Sequence, residues 1–228
     1  MTHKRLVVLT GAGMSRESGL QTFRDSDGLW NGHDVFSVCS VEAWNHQPEI
    51  VLDFYNARRK EIRNAVPNLG HKSLAKLEQY FEVTVITQNI DDLHERAGSS
   101  NVIHLHGEIL VAKSESNDKL RIPWESDLKI GDIGSDGAQL RPHVVFFGEA
   151  VPMLEQAAEV CELADIFVIV GTSLQVYPAA GLISVTNAPR KYLVDPNPPD
   201  IPSKLKIIKI CAGASEGMDQ LFKILTED

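Results

Sequence analysis

The sequence predicts an α/β protein with a doubly wound, Rossmann-like parallel sheet and a smaller inserted lobe. Apolar runs such as "RLVVLT" (5–10) and "IFVIVG" (166–171) lack the alternation of half-exposed strands. Parallel strands that helices cover on both faces have this character. Helical patterns at 70–80 and 153–165 separate several of these runs. Strands that alternate with helices indicate a doubly wound sheet.

Short β-rich runs are predicted at 5–10, 82–88, 101–106, 143–148, 166–171, 191–195 and 206–210. Two segments break the alternation of strands and helices. Residues 31–70 are helical and polar, with one amphipathic helix over 48–66, and residues 108–140 are polar and weakly patterned. We predict that 31–70 and 108–140 form the smaller lobe, with a ligand cleft between it and the main domain. The main, ligand-binding domain is predicted to comprise residues 1–30, 71–107 and 141–228.

Composition excludes several classes of protein. The chain has 228 residues, of which 43% are hydrophobic, and can build a sizeable core. Its net charge of −9 argues against nucleic-acid binding, which needs a basic face. The longest apolar runs are too short to cross a membrane, and the N-terminal residues lack the layout of a signal peptide. We therefore expect a cytoplasmic monomer that binds neither nucleic acid nor membrane.

The segment after the first predicted strand suits a phosphate-bearing ligand. Gly11 and Gly13 would let the backbone approach a diphosphate, and Ser15 adds a hydroxyl donor. Phe23 and Arg24 can clamp such a ligand and shield it from water. The spacing is not GxGxxG, so a plain strand-to-helix turn is the alternative for the glycines.

Polar side chains follow other predicted strands. Gln88, Asn89 and Asp91 follow one strand, and His106 ends another. Histidine suits general-base chemistry near neutral pH, although an isolated histidine is more often structural. Asp195 ends a further strand, where it either accepts a hydrogen bond from a ribose hydroxyl or caps a turn. Because strand ends meet at one edge of the sheet, these groups can converge.

Five blocks resemble, in order, the signature blocks of the sirtuins, the NAD-dependent protein deacylases. They are "GAGMSRESGLQTFRDSDGLW" (11–30), "TQNIDDLH" (87–94), "HLHGE" (104–108), "RPHVVFFGE" (141–149) and "GTSLQVYPAAG" (171–181). The resemblance implies NAD as cofactor and acyl-lysine proteins or peptides as substrates. It implies an NAD-binding set of Gly11, Ala12, Gly13, Ser15, Phe23, Arg24, Trp30, Gln88, Asn89, Ile90, Asp91, Gly171, Thr172, Ser173, Asp195, Asn197 and Ala214.

The resemblance also implies a mechanism. His106 matches the catalytic histidine of the family, and Asn89 and Asp91 are grouped with it as catalytic. The acyl-lysine oxygen would attack the ribose carbon that bears nicotinamide, with His106 then acting as general base on the ribose hydroxyls. The products would be deacylated lysine, nicotinamide and O-acyl-ADP-ribose. Residues 144–149 resemble the strand that pairs with substrate, so Val145, Phe147, Gly148 and Glu149 are predicted to bind it.

The sequence departs from the family at two places. Many sirtuins carry two CxxC pairs between the third and fourth blocks, and these hold a structural zinc. Here Cys39, Cys161 and Cys211 are widely separated and no cysteine lies in 107–160, so we predict no metal. Sirtuins usually have asparagine at the ribose-binding strand end, where this chain has Asp195 with Asn197 nearby.

The helix predicted over 48–66 holds a further clue. Arg58 falls near the centre of its apolar stripe, and Tyr55 lies three residues earlier on the same face. Arg58 either forms an internal salt bridge, extends outward to solvent, or recognises a ligand carboxylate. Sirtuins that remove succinyl or malonyl groups resemble this sequence in having this Tyr and Arg pair. We therefore expect desuccinylation or demalonylation alongside deacetylation, with Tyr55 and Arg58 binding the acyl carboxylate.

Two alternatives to a deacylase remain open. An NAD hydrolase or ADP-ribosyltransferase would use the same pocket, although the substrate segment and the Tyr55 and Arg58 pair favour deacylation. A non-catalytic sensor of NAD or ADP-ribose would not need a base at His106.

Overall fold

The protein is described from a computed structural model, which covers residues 3–21, 29–30 and 33–227. Two predicted cofactor residues, Phe23 and Arg24, lie outside the described residues, and only the backbone of Trp30 is described. In the described part of the chain, no helix is both long and apolar enough to span a membrane.

A six-stranded, fully parallel sheet forms the centre of the protein, with strand order β11-β10-β9-β1-β4-β5. Its strands are Arg5–Thr10 (β1), Glu82–Thr87 (β4), Val102–His104 (β5), Ile166–Val170 (β9), Arg190–Val194 (β10) and Ile208–Ile210 (β11). Leu29–Trp30 (β2) and His33–Asp34 (β3) pair as a short antiparallel ribbon.

Helices cover both faces of the parallel sheet. In chain order, the helices of the described residues are Ala12–Ser15 (α1), Val35–Cys39 (α2), Val41–His46 (α3), Pro48–Asn64 (α4), Leu69–Leu77 (α5), Leu93–Ala97 (α6), Leu154–Glu162 (α7), Leu182–Val185 (α8) and Ala214–Thr226 (α9). In the part of the chain that the structure describes, short 3₁₀ helices span Arg16–Ser18, Ala179–Gly181 and Ser203–Leu205.

Burial on both faces of the sheet explains why strand β1 is apolar along most of its buried length. Leu6 and Val8 pack into a core with residues of α5 and α9, whereas Val7 and Leu9 pack into a second core with residues of α7 and α8. All four side chains are at most 2% exposed. Successive strand residues point to opposite faces, so a strand buried on both sides needs an apolar residue at every position. The predicted doubly wound α/β sheet is confirmed.

A three-stranded antiparallel sheet forms beside the parallel one, in the order β7-β6-β8. Its strands are Gly107–Ser114 (β6), Arg121–Pro123 (β7) and Leu140–Val144 (β8). It packs with α2, α3 and α4 around a third core that includes Trp44, Tyr55, Ile109 and Phe146. The segment 108–140, predicted to be weakly patterned, therefore contains strands.

The predicted strand at 143–148 is placed differently in the structure. Strand β8 ends at Val144 and pairs antiparallel with β6, outside the parallel sheet. After Val144, the backbone N–H of Phe147 donates to the Cys39 carbonyl, and the Phe147 carbonyl accepts from Val41 N. The chain at Phe147 therefore pairs with the segment after α2 and no longer with β6. Gly148, with φ of +96°, then turns the chain.

Candidate active site

The carboxyl ends of β1, β4, β9 and β10 open into a cleft of about 1140 Å³. Ligands of open α/β sheets gather at this edge. The predicted site residues that line the cleft are Gly11, Ala12, Gly13, Tyr55, Gln88, Asn89, Ile90, His106, Val145, Phe147, Gly148, Glu149, Gly171, Thr172, Ser173, Asp195, Asn197 and Ala214. Ser15, Arg58 and Asp91 are buried behind its walls.

Glycines let two turns pack directly against each other on the cleft floor. The Gly13 N–H donates to the Gly171 carbonyl at 2.8 Å. A Cβ on Gly13 would lie 2.7 Å from the Gly171 Cα, and Gly171 itself has φ of +62°. Packing between the turns after β1 and β9 therefore requires these glycines, and the result is a backbone surface without side chains.

A buried polar network fixes the turn after β4. The Ser15 hydroxyl donates to Asp91 Oδ2 at 2.9 Å, and Asp91 Oδ1 accepts from Leu93 N at 3.2 Å. The Asn89 amide donates to the Gly11 carbonyl and to Ser15 Oγ at 3.1 and 3.0 Å. Because these bonds use the amide nitrogen of Asn89, its orientation in the cleft wall is set. Burial raises the pKa of Asp91, and the Ser15 hydrogen bond opposes this rise.

Two buried histidines, which the motif reasoning missed, lie beneath this network. His71 Nε2 lies 3.5 Å from Ser15 Oγ, and His94 Nε2 lies 3.0 Å from Thr10 Oγ1. Their ring centroids are 4.9 Å apart. Burial lowers the pKa of His71 to about 4 and that of His94 well below its usual value. Both are therefore neutral at pH 7, and the only sequence signal was the position of His94 at the end of "TQNIDDLH".

His106 is oriented by a backbone carbonyl. Its Nδ1 lies 2.9 Å from the carbonyl oxygen of Gln88. A carbonyl only accepts, so Nδ1 carries the proton and Nε2 of the neutral ring is an acceptor. Burial lowers the pKa of His106, against the opposing effect of the Gln88 bond. The side chain is therefore a neutral, oriented base in the cleft wall.

The neighbouring histidine of the "HLHGE" block has a different environment. His104 Nε2 lies 2.7 Å from Glu95 Oε1. Burial lowers the pKa of His104, but the hydrogen bond and charge of Glu95 outweigh burial and raise it. His104 is not among the residues that line the cleft. The structure thus separates His104, whose pKa is raised by Glu95, from His106, whose pKa is lowered by burial.

Tyr55 and Arg58 lie on one face of α4, as predicted, but in different settings. Tyr55 lines the cleft, and its ring stacks on Phe146 with centroids 5.7 Å apart. Arg58 has only 4% of its side chain exposed, and its Nη1 donates to Glu61 Oε2 at 2.7 Å. The internal salt bridge considered for Arg58 is therefore present. Glu61 is 46% exposed, so the pair reaches the surface.

Asp195 caps a turn, which is one of the two roles considered for it, and it does so at the edge of the cleft. Its carboxylate lines the cleft at the end of β10. Its Oδ1 also accepts from Asn197 N at 2.8 Å, which caps the following turn. The side chain is 2% exposed. Asp195 is therefore held rigidly in the cleft wall.

Within residues 3–21 and 33–227, no cluster of three or more histidine, cysteine or acidic side chains is arranged to hold a metal. Cys39, Cys161 and Cys211 are free thiols, the first two of them buried.

Comparison with known proteins agrees with the geometry. The Sir2 family profile matches residues 11–178. A protein of Bacteroides thetaiotaomicron named NAD-dependent protein deacylase is 52% identical, over 97% of this chain and 98% of its own length. A protein of Helicobacter pylori with the same name is 53% identical over 85% of both chains.

Solved structures give the same result. A Sir2 homologue bound to ADP-ribose has a TM-score of 0.88 and 38% identity, covering 99% of this chain and 93% of that chain. A Sir2 homologue bound to NAD has a TM-score of 0.86 and 38% identity, covering 99% of this chain and 90% of that chain. The chain therefore belongs to the Sir2 family, the sirtuins, as its motifs predicted.

Proposed function

We propose that this chain is an NAD-dependent protein deacylase that removes succinyl and malonyl groups, as well as acetyl groups, from lysine side chains. The general activity follows from the family: relatives that share about half of its residues over most of their length are NAD-dependent protein deacylases. The observation that carries the proposal is the oriented, neutral His106 in a cleft that both the NAD-binding turns and the 145–149 turn line.

The residues of the cleft fit NAD, which supplies an electrophilic ribose carbon with nicotinamide as leaving group. Thr172 Oγ1 accepts bonds from Gln88 Nε2 and Leu174 N, each at 3.2 Å, so its hydroxyl proton is left to donate. The carboxylate of Asp195 suits the ribose hydroxyls. The backbone surface at Gly13 and Gly171 is open to a diphosphate.

The proposed NAD site also includes the other residues that the resemblance to sirtuins implies. They are Gly11, Ala12, Ser15, Phe23, Arg24, Trp30, Asn89, Ile90, Asp91, Ser173, Asn197 and Ala214.

His106 is proposed as the general base. With Nδ1–H committed to the Gln88 carbonyl, Nε2 takes a proton from a ribose hydroxyl during acyl transfer. The lowered pKa keeps the ring neutral near pH 7. Asn89 and Asp91 are proposed to shape the nicotinamide end of the cleft through the Ser15 network. Positioning of this kind contributes to catalysis by holding the reacting groups together.

The acyl specificity is proposed to depend on Tyr55 and Arg58. Arg58 is buried just behind the wall that Tyr55 forms, and its charge is balanced by Glu61 and by the nearby Asp91. Because Glu61 is half exposed, its carboxylate can move into water when a succinyl or malonyl carboxylate takes its place. Guanidinium groups bind carboxylates in a two-pronged geometry, which favours this exchange.

Substrate binding is assigned to the 145–149 turn, through Val145, Phe147 and Gly148, with Glu149 fixing its shape. Phe147 is 38% exposed and its ring lies 5.0 Å from that of Phe36 at the cleft rim. The protein is further proposed to act as a cytoplasmic monomer. Its free thiols are typical of a reducing compartment.

The test compares acetyl-lysine and succinyl-lysine versions of one peptide, with wild type, Arg58→Met and Arg63→Met. Arg58→Met should lower kcat/KM for the succinyl peptide about 100-fold or more, as expected for loss of a buried charge-assisted pair. The acetyl peptide should change by only a few-fold. Arg63 is the control, because it lies on the same helix in an exposed pair with Glu125. Equal loss on both peptides would contradict the acyl-carboxylate role.

A further inference from the structure

Arg141, in β8, and Glu149, at the end of the 145–149 turn, form a largely buried, two-pronged ion pair. Arg141 Nη1 donates to Glu149 Oε1 at 2.7 Å, and Nη2 donates to Oε2 at 3.0 Å. The two side chains are 7% and 22% exposed. Burial raises the pKa of Glu149, but the hydrogen bonds from Arg141 and from Phe146 N outweigh burial and lower it. The pair is therefore ionised.

Both partners also bind the backbone of the segment between them. Glu149 Oε2 accepts from Phe146 N at 2.7 Å, and Glu149 N donates to the Phe146 carbonyl at 3.0 Å. Arg141 Nη2 donates to the Val144 carbonyl at 2.9 Å. The pair thus closes a ring across the end of β8, and the shape of the turn depends on it.

The same pair orders the wall of the acyl pocket. The Arg141 guanidinium lies 3.8 Å from the centroid of the Phe146 ring, and Tyr55 stacks on that ring at 5.7 Å. Phe146 is thus in contact with the cation and with the tyrosine that lines the cleft. A displacement of Arg141 would release Phe146 and, through it, Tyr55.

The NAD-binding groups are held by different contacts. Gln88, Thr172 and Asp195 bond to one another or to their own turns at the edge of the parallel sheet. The Val145 N–H, which donates to the His106 carbonyl at 2.9 Å, connects the turn to that edge. A change in the Arg141 and Glu149 pair should therefore affect the 145–149 turn far more than the NAD site.

We propose that Arg141 and Glu149 are positioning residues that hold the 145–149 turn and the Phe146 and Tyr55 wall in the shape that binds the acyl-lysine peptide. This inference rests on the proposed function, because it assumes that the turn contacts the acylated substrate. Neither residue takes part in the chemistry. Together they determine substrate affinity, and they leave NAD affinity unaffected.

The test uses Glu149→Gln, which keeps the shape of the side chain and an oxygen for Phe146 N but removes the charge. We expect KM for the acyl peptide to rise about tenfold, the loss typical of a charge-assisted pair. KM for NAD should stay within about twofold, because ΔΔG effects at sites without shared partners are nearly independent. The backbone amides of 145–148 should exchange hydrogen faster, which reports the turn without reference to activity.

Two further variants serve as controls for Glu149→Gln. Glu125→Gln makes the same substitution in the exposed Arg63 and Glu125 pair and should change neither KM. Arg141→Gln combined with Glu149→Gln removes both charges, and should recover part of the peptide affinity because no unpaired charge is left buried. If Glu149→Gln folds poorly, Arg141→Lys, which keeps the charge but loses the planar fork, replaces it.

The outcomes separate the two proposals. If the wild type is active and Glu149→Gln changes neither the peptide KM nor the amide exchange, the positioning role is wrong. The proposed function would still stand. Equal increases in the peptide and NAD KM would also overturn it, since general loosening of the fold would explain them. A wild-type protein that deacylates no peptide would overturn the proposed function and, with it, the assigned role of the turn.

Discussion

The Nδ1 atom of His106 lies 2.9 Å from the backbone carbonyl oxygen of Gln88. The carbonyl of Gln88 thus determines that Nε2 is the free nitrogen of His106, the proposed base. The base is active when neutral, and burial lowers its pKa below the usual 6.5. The acidic limb of the kcat/KM profile should therefore have its midpoint below pH 6.5, with a plateau above it.

This pH profile is measured with a single acyl peptide at saturating NAD. The His104 and Glu95 pair gives the contrasting case, since the pKa of His104 is raised. A midpoint of the acidic limb above pH 6.5 would mean that a group other than His106 controls the rate.

The contact between Ser15 and Asp91 predicts coupled effects on stability and NAD binding. Ser15→Ala removes a hydrogen bond to a fully buried carboxyl group, which should cost about 1–3 kcal/mol in the free energy of unfolding. The same change removes one of the two acceptors that hold the Asn89 amide, so KM for NAD should rise. Denaturant unfolding and NAD titration measure both effects. Ser100→Ala, on the exposed surface, is the matched control and should change neither.

Substitution of Glu61 should change the preference between succinyl and acetyl peptides. If Glu61 competes with the acyl carboxylate for Arg58, Glu61→Gln should lower KM for a succinyl peptide by about three- to tenfold, because the ligand no longer displaces a charged partner. KM for the acetyl peptide should remain the same. Steady-state kinetics on the two peptides measure the ratio. A higher KM for the succinyl peptide would show that Glu61 supports the pocket rather than competing with its ligand.

The buried His71 should make the free energy of unfolding depend on pH. Burial lowers its pKa to about 4, whereas the unfolded chain has the usual value of 6.5. Between these values the unfolded state binds more protons, so stability falls as the pH falls. From pH 7 to pH 5 this residue should cost about 2 kcal/mol. Urea unfolding at both pH values, compared between wild type and His71→Asn, isolates the effect. An identical loss in both proteins would assign it to other groups.

The parallel sheet was predictable because a strand that is buried on both faces has a continuous run of apolar residues, as in "RLVVLT". The antiparallel sheet was not. Strand β6 has one half-exposed face, so its residues mix polar and apolar types, and its pairing with β8 joins segments far apart in the chain. Period-two patterns in such short strands are weak.

The site was predictable where a motif follows a strand, as at Gln88 and His106, since the sheet brings these ends together. The contacts of Ser15, Asp91 and His71 were not, because the sequence gives no sign of whether the hydroxyl of a serine after a glycine turn faces the ligand or a buried carboxyl group. The Arg58 pairing was foreseen only as an alternative. Its partner, Glu61, lies three residues along the same helix.

The most direct test of the central claim is mass spectrometry of the products from a succinyl-lysine peptide and NAD. We predict deacylated peptide, nicotinamide and O-succinyl-ADP-ribose in equal amounts, and none of them with His106→Tyr. NAD consumed without deacylated peptide would instead indicate an NAD hydrolase or ADP-ribosyltransferase. NAD bound but never cleaved would indicate a sensor, and either result would contradict a deacylase based on His106.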